Sequence, residues 1–169
     1  KLKLITAVSF SSLLLAGSIN AQGMMDTPEV SEKVEKKEVD KDLTPVGSFF
    51  SGMTFSLEDG KFNDTPLEEA RYYILYFSAS WWGPCVSSVP QLVETYNDKI
   101  AKKSKVELIL VSLDAEKDDA LTWAKKENFP WPHVQMAEFE KKESELDFKK
   151  VKITAVPTYI LIDKKGKVV

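Results

Sequence analysis

Two apolar runs, YYILYFS (Tyr72–Ser78) and VELILVSL (residues 106–113), most constrain what this chain of 169 residues can fold into. Both are rich in aromatic and β-branched residues and lack polar alternation, which is typical of strands buried on both faces of a sheet. Between them, Leu92, Tyr96 and Ile100 recur at helical spacing and predict a helix with one apolar face. This order predicts an α/β fold, a sheet with helices on both faces.

Shorter patterns predict the remaining elements. Residues 53–62 alternate in polarity around Asp59 and Gly60, a pair that favours a two-residue β-hairpin turn. Pro90 lies inside the helix after the first strand and is expected to kink it. The other expected elements are a helical turn in PLEEARY, a helix capped by Asp114 with Leu121, Trp123 and Ala124 facing inward, a helix over about residues 138–150, and a strand over residues 155–163.

The first 21 residues have the layout of a secretory signal peptide. Lys1 and Lys3 form a basic start, an apolar run follows over residues 4–16, and Ala21 ends a small-residue exit where cleavage is expected. The apolar run is shorter than the ~20 residues that cross a bilayer, and Ser18 stands where a lipoprotein signal needs cysteine. The pattern therefore predicts an exported protein, periplasmic or extracellular, without a membrane anchor.

Residues 22–45 are expected to be a charged flexible linker, because they are rich in Glu, Lys and Asp and contain no aromatic residue. The folded domain is predicted over residues 46–169 and is expected to be incomplete at its C-terminus, since the sequence stops as a hairpin after the last strand turns back. The formal net charge is -3, and -5 without residues 1–21, which carry two lysines and no acid. No attraction to nucleic acid or to a membrane surface is therefore expected.

The stretch FSASWWGPCVSSVPQL (residues 77–92) joins the first buried strand to the helix after it. Its Gly83-Pro84 turn puts Trp82 and Cys85 at the start of that helix, where unpaired N–H groups and the helix dipole stabilise a thiolate. Of two cysteines at this spacing, one attacks a disulfide and the other resolves the mixed disulfide. Cys85 is the only cysteine, so the chain as written cannot cycle alone between dithiol and disulfide.

This stretch and its surroundings resemble the thioredoxin superfamily, particularly the tryparedoxin and nucleoredoxin branch. The resemblance covers about residues 46–169 and rests on YFSASW, GPC, PQLVETYN, NFPWPHV and TAVPTYILIDKKGKVV, which follow one another in family order. It implies a thioredoxin-like fold, with a central mixed sheet flanked by helices, and a thiol-disulfide oxidoreductase ancestry. It also implies a cis peptide bond before Pro157, and a backbone at Val156 that pairs with the chain of a bound substrate.

On this resemblance, Trp82 takes the place of the attacking cysteine and Cys85 that of the resolving cysteine. Cys85 is then expected to be a poor nucleophile, half-buried under Trp82. Val86 replaces a basic residue that often follows the motif, and Tyr76 stands where thioredoxins proper carry a buried acid. The tryparedoxin branch also lacks that acid, so Tyr76 does not separate an active protein from an inactive one.

Three interpretations of the missing cysteine are open. The first is a redox-impaired binding module that holds a protein or peptide partner on an apolar patch; in one version of it, Trp82 only covers the core. In the second, Cys85 works as a monothiol and forms a mixed disulfide with glutathione or a partner protein. In the third, position 82 is really cysteine or selenocysteine, and the chain is an active oxidoreductase. The patch would comprise Trp81, Trp82, Gly83, Pro84, Val156 and Pro157.

His133 is the only histidine, and one histidine with one cysteine does not make a zinc site. The resemblance places His133 away from the loop, which argues against a catalytic pair with Cys85. No metal and no cofactor are therefore expected, and the protein is expected to be a monomer.

Overall fold

The computed structural model describes residues 43–102, 105–147 and 152–169. The predicted signal peptide, residues 1–21, and the predicted linker up to residue 42 lie outside the described residues. Thr44 caps the first helix, because its side-chain oxygen accepts a hydrogen bond from the backbone N–H of Gly47 at 3.2 Å. That helix begins at Pro45, one residue before the predicted start of the domain.

In the described part of the chain, six strands form one mixed sheet in the order β2-β1-β5-β4-β3-β6. The strands are β1 Phe55–Glu58, β2 Lys61–Asp64, β3 Tyr72–Ser78, β4 Val106–Ser112, β5 His133–Gln135 and β6 Thr158–Asp163. The helices are α1 Pro45–Phe50, α2 Gly83–Thr95, α3 Lys117–Glu127 and α4 Met136–Lys142. A π-helical segment, Tyr96–Ile100, continues α2, and a 3-10 turn, Glu143–Glu145, follows α4. The expected α/β fold is confirmed.

The two apolar runs are the central strands of this sheet. β3 and β4 pair in parallel over their full length, from Tyr72 opposite Val106 to Ser78 opposite Ser112. β6 pairs with β3 in the antiparallel direction on its other side. Both predicted strands are therefore confirmed, and each is flanked by strands on both edges.

Successive side chains of β3 enter two different cores on opposite faces of the sheet. Tyr73, Leu75 and Phe77 pack with residues of α1 and α4 on one face. On the other face, Tyr76 packs in a cluster with residues of α2 and α3, which include Cys85. We call this second group the α2 core; its buried members are Tyr76, Cys85, Val89, Tyr96, Leu108, Leu110, Trp123, Ala124, Phe129 and Trp131.

Of two predictions that rest on short segments, one is confirmed and the other is wrong. The hairpin is confirmed: β1 and β2 are antiparallel, and the two turn residues Asp59 and Gly60 both have positive φ, as a tight two-residue hairpin turn requires. The helical turn in PLEEARY is wrong, because residues 65–70 form no helix or strand. The backbone N–H of Ala70 donates instead to the hydroxyl of Tyr73 at 2.9 Å, a side chain that is fixed by the core.

Other boundaries moved by a few residues. The helix predicted after Asp114 begins later, with Glu116 as its N-cap, so the predicted capping role of Asp114 is wrong. α4 begins at Met136, before the predicted start, and residues 148–150 of the predicted helix lie outside the described ranges. β6 begins at Thr158 because Pro157 has no N–H to donate to a strand ladder. Leu121 is only half-buried, whereas Trp123 and Ala124 are buried as predicted.

The helix stripe Leu92, Tyr96 and Ile100 packs on the α2 core as predicted. Pro90 lies inside α2, on its exposed side, and its kink stays a prediction. None of the helices in the described ranges is long and apolar enough to cross a membrane.

The sequence pattern did not predict β5, which carries the only histidine. His133 is 3% exposed, and its Nδ1 donates a hydrogen bond to the carbonyl oxygen of Trp131 at 3.1 Å. Its Nε2 is buried without a hydrogen-bond partner among the described residues. Burial lowers the pKa of His133 to about 4, and the nearby charge of Lys117 acts in the same direction.

We expect His133 to make the fold less stable in acid. Above its ordinary pKa of 6.5, His133 is neutral in the folded and unfolded chains; as the pH falls below 6.5, only the unfolded chain takes up the proton until about pH 4. Relative to a His133→Gln variant, the wild type should therefore lose on the order of 3 kcal/mol of unfolding free energy across this window. Urea unfolding at several pH values measures the difference, and parallel pH profiles for the two proteins would contradict the buried neutral imidazole.

Candidate functional site

The loop predicted to carry the site lies between the carboxyl end of β3 and the start of α2. Trp82 is the N-cap residue of α2, with an extended backbone (φ -103, ψ 114) and no side-chain capping hydrogen bond. The backbone N–H of Val86 donates to the carbonyl of Trp82 at 3.1 Å, which closes the first turn. Pro84 lies in that turn, where its missing N–H leaves no bond unmade. The predicted strand and helix are present, but the turn between them lies at Ser80 and Trp81, and Gly83 and Pro84 are already the first two residues of α2.

The two indoles of this loop face solvent. Trp81 is 63% exposed and Trp82 44% exposed, and their rings meet edge to face with centroids 6.2 Å apart. Gly83 and Pro84 are also exposed. Exposed tryptophan is uncommon because the side chain gains so much from burial. The loop therefore presents a compact aromatic surface.

Cys85 lies on the opposite side of the loop. It is fully buried in the α2 core, so the expectation that it would be half-buried under Trp82 is wrong. The physical reason is the backbone: Trp82 is extended and precedes the helix, whereas Cys85 is helical and turns inward above Tyr76. The only thiol of the chain has no direct access to solvent in this conformation.

Tyr76 and Tyr159 form a stacked pair close to Cys85. Their ring centroids are 4.8 Å apart with an interplanar angle of 9°, and Ser78 donates a hydrogen bond to the Tyr76 hydroxyl at 2.8 Å. Burial raises the pKa of Tyr76, and burial together with the neighbouring Tyr76 raises the pKa of Tyr159 to about 12. Both phenols therefore hold their protons at neutral pH, and neither is a base for the thiol.

The segment of Val156 and Pro157 lies at the same end of the sheet as the loop. Phe77, at the end of β3, pairs with Thr158, at the start of β6, so the chain before Thr158 runs beside the chain after Phe77. The peptide bond between Val156 and Pro157 is cis. Both residues are half-buried, and the Val156 side chain packs against the α2 core that holds Cys85.

Sequence reasoning missed Asp114 as part of this region. Its carboxylate, 6% exposed, accepts hydrogen bonds from the backbone N–H and the hydroxyl of Ser80, directly before Trp81. It also accepts one from the hydroxyl of Ser112 at the end of β4. The available signal was the position of Ser80 and Asp114, each shortly after one of the two apolar runs; that these strands are adjacent and parallel is a finding of the structure.

Nothing in the described ranges assembles a metal site: no group of three or more His, Cys, Asp or Glu side chains is placed to hold an ion. His133 lies in β5, bonded to Trp131 and in ring contact with Phe62, rather than beside Cys85. The side chains that this region does bring together are the exposed indoles, the buried thiol and the stacked Tyr76–Tyr159 pair.

Comparison with known proteins gives a consistent result. The sequence model of the Thioredoxin-like family matches residues 70–168. The Arabidopsis thaliana protein named "Probable nucleoredoxin 1" is 36% identical over 95 residues, which cover 56% of this chain and 16% of that protein. The chain spans only 16% to 24% of the length of the nucleoredoxins that it matches.

Solved structures agree with the sequence match. Tryparedoxin I from Leishmania major is 29% identical with a TM-score of 0.54, covering 70% of this chain and 79% of the other. Native tryparedoxin I from Crithidia fasciculata is 28% identical with a TM-score of 0.56, covering 75% and 85%. This chain therefore belongs to the thioredoxin-like family of thiol-disulfide oxidoreductases, and within the thioredoxin superfamily it is tryparedoxin- and nucleoredoxin-like.

Proposed function

We propose that this protein is an exported, redox-impaired member of its family that binds an extended protein or peptide segment on its loop face. One observation carries the proposal: the position of the attacking cysteine holds an exposed tryptophan, while the only thiol of the chain is fully buried. The loop therefore offers a partner an aromatic surface and no accessible thiol.

The chemistry of disulfide exchange supports the loss of activity. A thiolate must reach a disulfide sulfur to form the mixed disulfide, and a second thiol must then displace the bound partner. Cys85 is buried and has no second cysteine to complete the cycle. Burial therefore disfavours a monothiol role for Cys85, with glutathione or with a partner protein.

The exposed indoles support binding. Tryptophan is an efficient anchor at protein interfaces because it buries a large rigid surface at a small entropy cost. The backbone at Val156, beside the cis peptide bond and at the same end of the sheet, offers groups for strand-like pairing with an extended chain. The negative net charge gives the protein no attraction to nucleic acid or to a membrane surface, so an extended peptide is the ligand that we propose.

Export rests on residues 1–21 alone, which lie outside the described residues. A basic start, a short apolar run and a small-residue exit together support a signal peptide and a periplasmic or extracellular location.

A second candidate function is an active oxidoreductase with cysteine or selenocysteine at position 82. The intact framework favours it: position 82 caps α2, is exposed, and lies three residues before Cys85. Sequencing codon 82 from an independent clone decides between the two, because an unambiguous tryptophan codon removes this alternative.

We expect that the chain as written does not accelerate the reduction of insulin by dithiothreitol above the uncatalysed rate. A Trp82→Cys variant should show turnover, since it restores a pair of thiols at the helix start. Trp82→Ser is the matched control: it also removes the indole, adds no sulfur, and should stay inactive. If the wild type reduces insulin at the rate of an active thiol-disulfide oxidoreductase, the proposed loss of redox activity is wrong.

We expect Cys85 to react slowly in the folded protein. Labelling with a thiol reagent at neutral pH should be at least about a thousandfold slower than in urea, because the thiol must wait for an opening that is rarely populated. The control is a Cys85→Ala, Ser87→Cys double variant, whose thiol lies on the exposed side of α2 and should react at once. Equal labelling rates for the two folded proteins would show that Cys85 is accessible and would support a monothiol role for it.

Peptide binding can be tested with a phage-displayed library of unstructured peptides selected on the wild-type protein. Trp82→Ala should weaken the selected peptides by roughly 30-fold, the loss typical of a hot-spot residue. Leu161→Ala, which truncates an exposed apolar residue of β6, is the control and should leave their affinity unchanged. Equal affinities for the two variants, or no selected peptides at all, would count against the binding module.

A further inference from the structure

The carboxylate of Asp114 is a buried charge held by hydrogen bonds. Its Oδ1 accepts from the backbone N–H of Ser80 at 3.1 Å and from the Ser80 hydroxyl at 2.6 Å. Its Oδ2 accepts from the Ser112 hydroxyl at 2.6 Å. The ion pairs found in the described ranges do not include Asp114, so these donors are what offset its desolvation.

The parallel pairing of β3 and β4 places this carboxylate. Ser78 and Ser112 are opposite each other at the ends of the strands, and the backbone N–H of Leu113 donates to the carbonyl of Ser78 at 2.8 Å. The hydrogen bonding between the two chain segments thus continues for one residue beyond the end of β4. The next residue, Asp114, then faces Ser80 across the gap, and its own N–H is held by the Ser112 hydroxyl at 3.2 Å.

The bonds to Ser80 are the firmest attachment of the loop. Within the loop itself, the N–H of Trp82 reaches the carbonyl of Ala79 only at 3.4 Å. A carboxylate that accepts from both the N–H and the hydroxyl of one residue is a charge-assisted pair of bonds, stronger than a neutral turn bond. It fixes both the backbone and the side-chain rotamer of the residue before Trp81.

We propose that Asp114 is the positioning residue of the tryptophan loop: by holding Ser80 from the neighbouring strand, it sets the direction in which Trp81 and Trp82 leave the sheet. Any effect on partner affinity rests on the binding function proposed above. The positioning itself does not, because it is a property of the free protein.

The test uses the four tryptophans as separate reporters. Protein labelled with 5-fluorotryptophan gives one fluorine NMR resonance for each indole, and the Trp81→Phe and Trp82→Phe variants assign the two loop signals. Trp123 and Trp131 are buried in the α2 core and report on the integrity of the fold.

Three substitutions separate positioning from general stability. Asp114→Ala removes both acceptors and should move or broaden the Trp81 and Trp82 signals while leaving those of Trp123 and Trp131 in place. Asp114→Asn keeps one oxygen for Ser80 and should largely restore the wild-type loop signals. Ser112→Ala is the comparison variant: it removes the hydroxyl that bonds to Oδ2 and to the backbone N–H of Asp114 but leaves the bonds from Ser80, so the loop signals should move less than in Asp114→Ala.

Several outcomes would overturn the positioning role: unmoved loop signals in Asp114→Ala, equal movement of all four signals, or equal effects of Ser112→Ala and Asp114→Ala. If Asp114→Ala does not fold, Ser80→Ala is measured in its place. The positioning role is then overturned if the Trp81 and Trp82 signals of Ser80→Ala move no more than those of Ser112→Ala. Because the NMR measurements require no partner, failure of the positioning role is distinct from failure of peptide binding. Peptides selected on the wild type should in addition bind Asp114→Ala about tenfold more weakly, against an unchanged Asp114→Asn.

Discussion

The parallel pairing of β3 with β4 is the constraint on which the rest of the structure depends. Seven residues of each strand align without interruption, and both strands are buried in the middle of the sheet. Their carboxyl ends therefore meet, which brings the chain after Ser78 beside the chain after Ser112. The antiparallel pairing of β6 with β3 adds the Val156–Pro157 turn at the same end. Three segments distant in sequence thus converge on one edge.

The site is divided by a change of backbone conformation within four residues. Trp82 precedes the helix with an extended backbone, and Cys85 is already helical, so one side chain leaves the protein and the other enters the α2 core. This arrangement keeps the framework of a disulfide-exchange loop, with an indole at its exposed position and a thiol at its buried one. An aromatic surface faces solvent, and the sulfur lies inside with two protonated phenols beside it. This geometry is the basis of the proposed binding function.

Much of the fold was predictable, because its strongest signals are local. Unbroken apolar runs predict buried strands, the spacing of Leu92, Tyr96 and Ile100 predicts a helix face, and Asp59-Gly60 predicts a tight turn. The failures involve short segments whose structure is decided by the core or by strands that pack against them. PLEEARY has helical composition, yet a core tyrosine takes one of its N–H groups. β5 is only three residues long and is a strand because β4 and β1 lie on either side of it.

For the candidate site, the sequence by itself determined that one thiol is present, that Trp82 occupies the partner position, and that the surrounding motifs are thioredoxin-like. These are matters of residue identity and spacing. Only the tertiary structure decided that Cys85 is fully buried, that Trp81 and Trp82 are exposed, and that Asp114 holds Ser80 instead of capping a helix. Accessibility and hydrogen-bond partners depend on which distant segments pack against a residue, and that is set by the pairing of strands across the whole sheet.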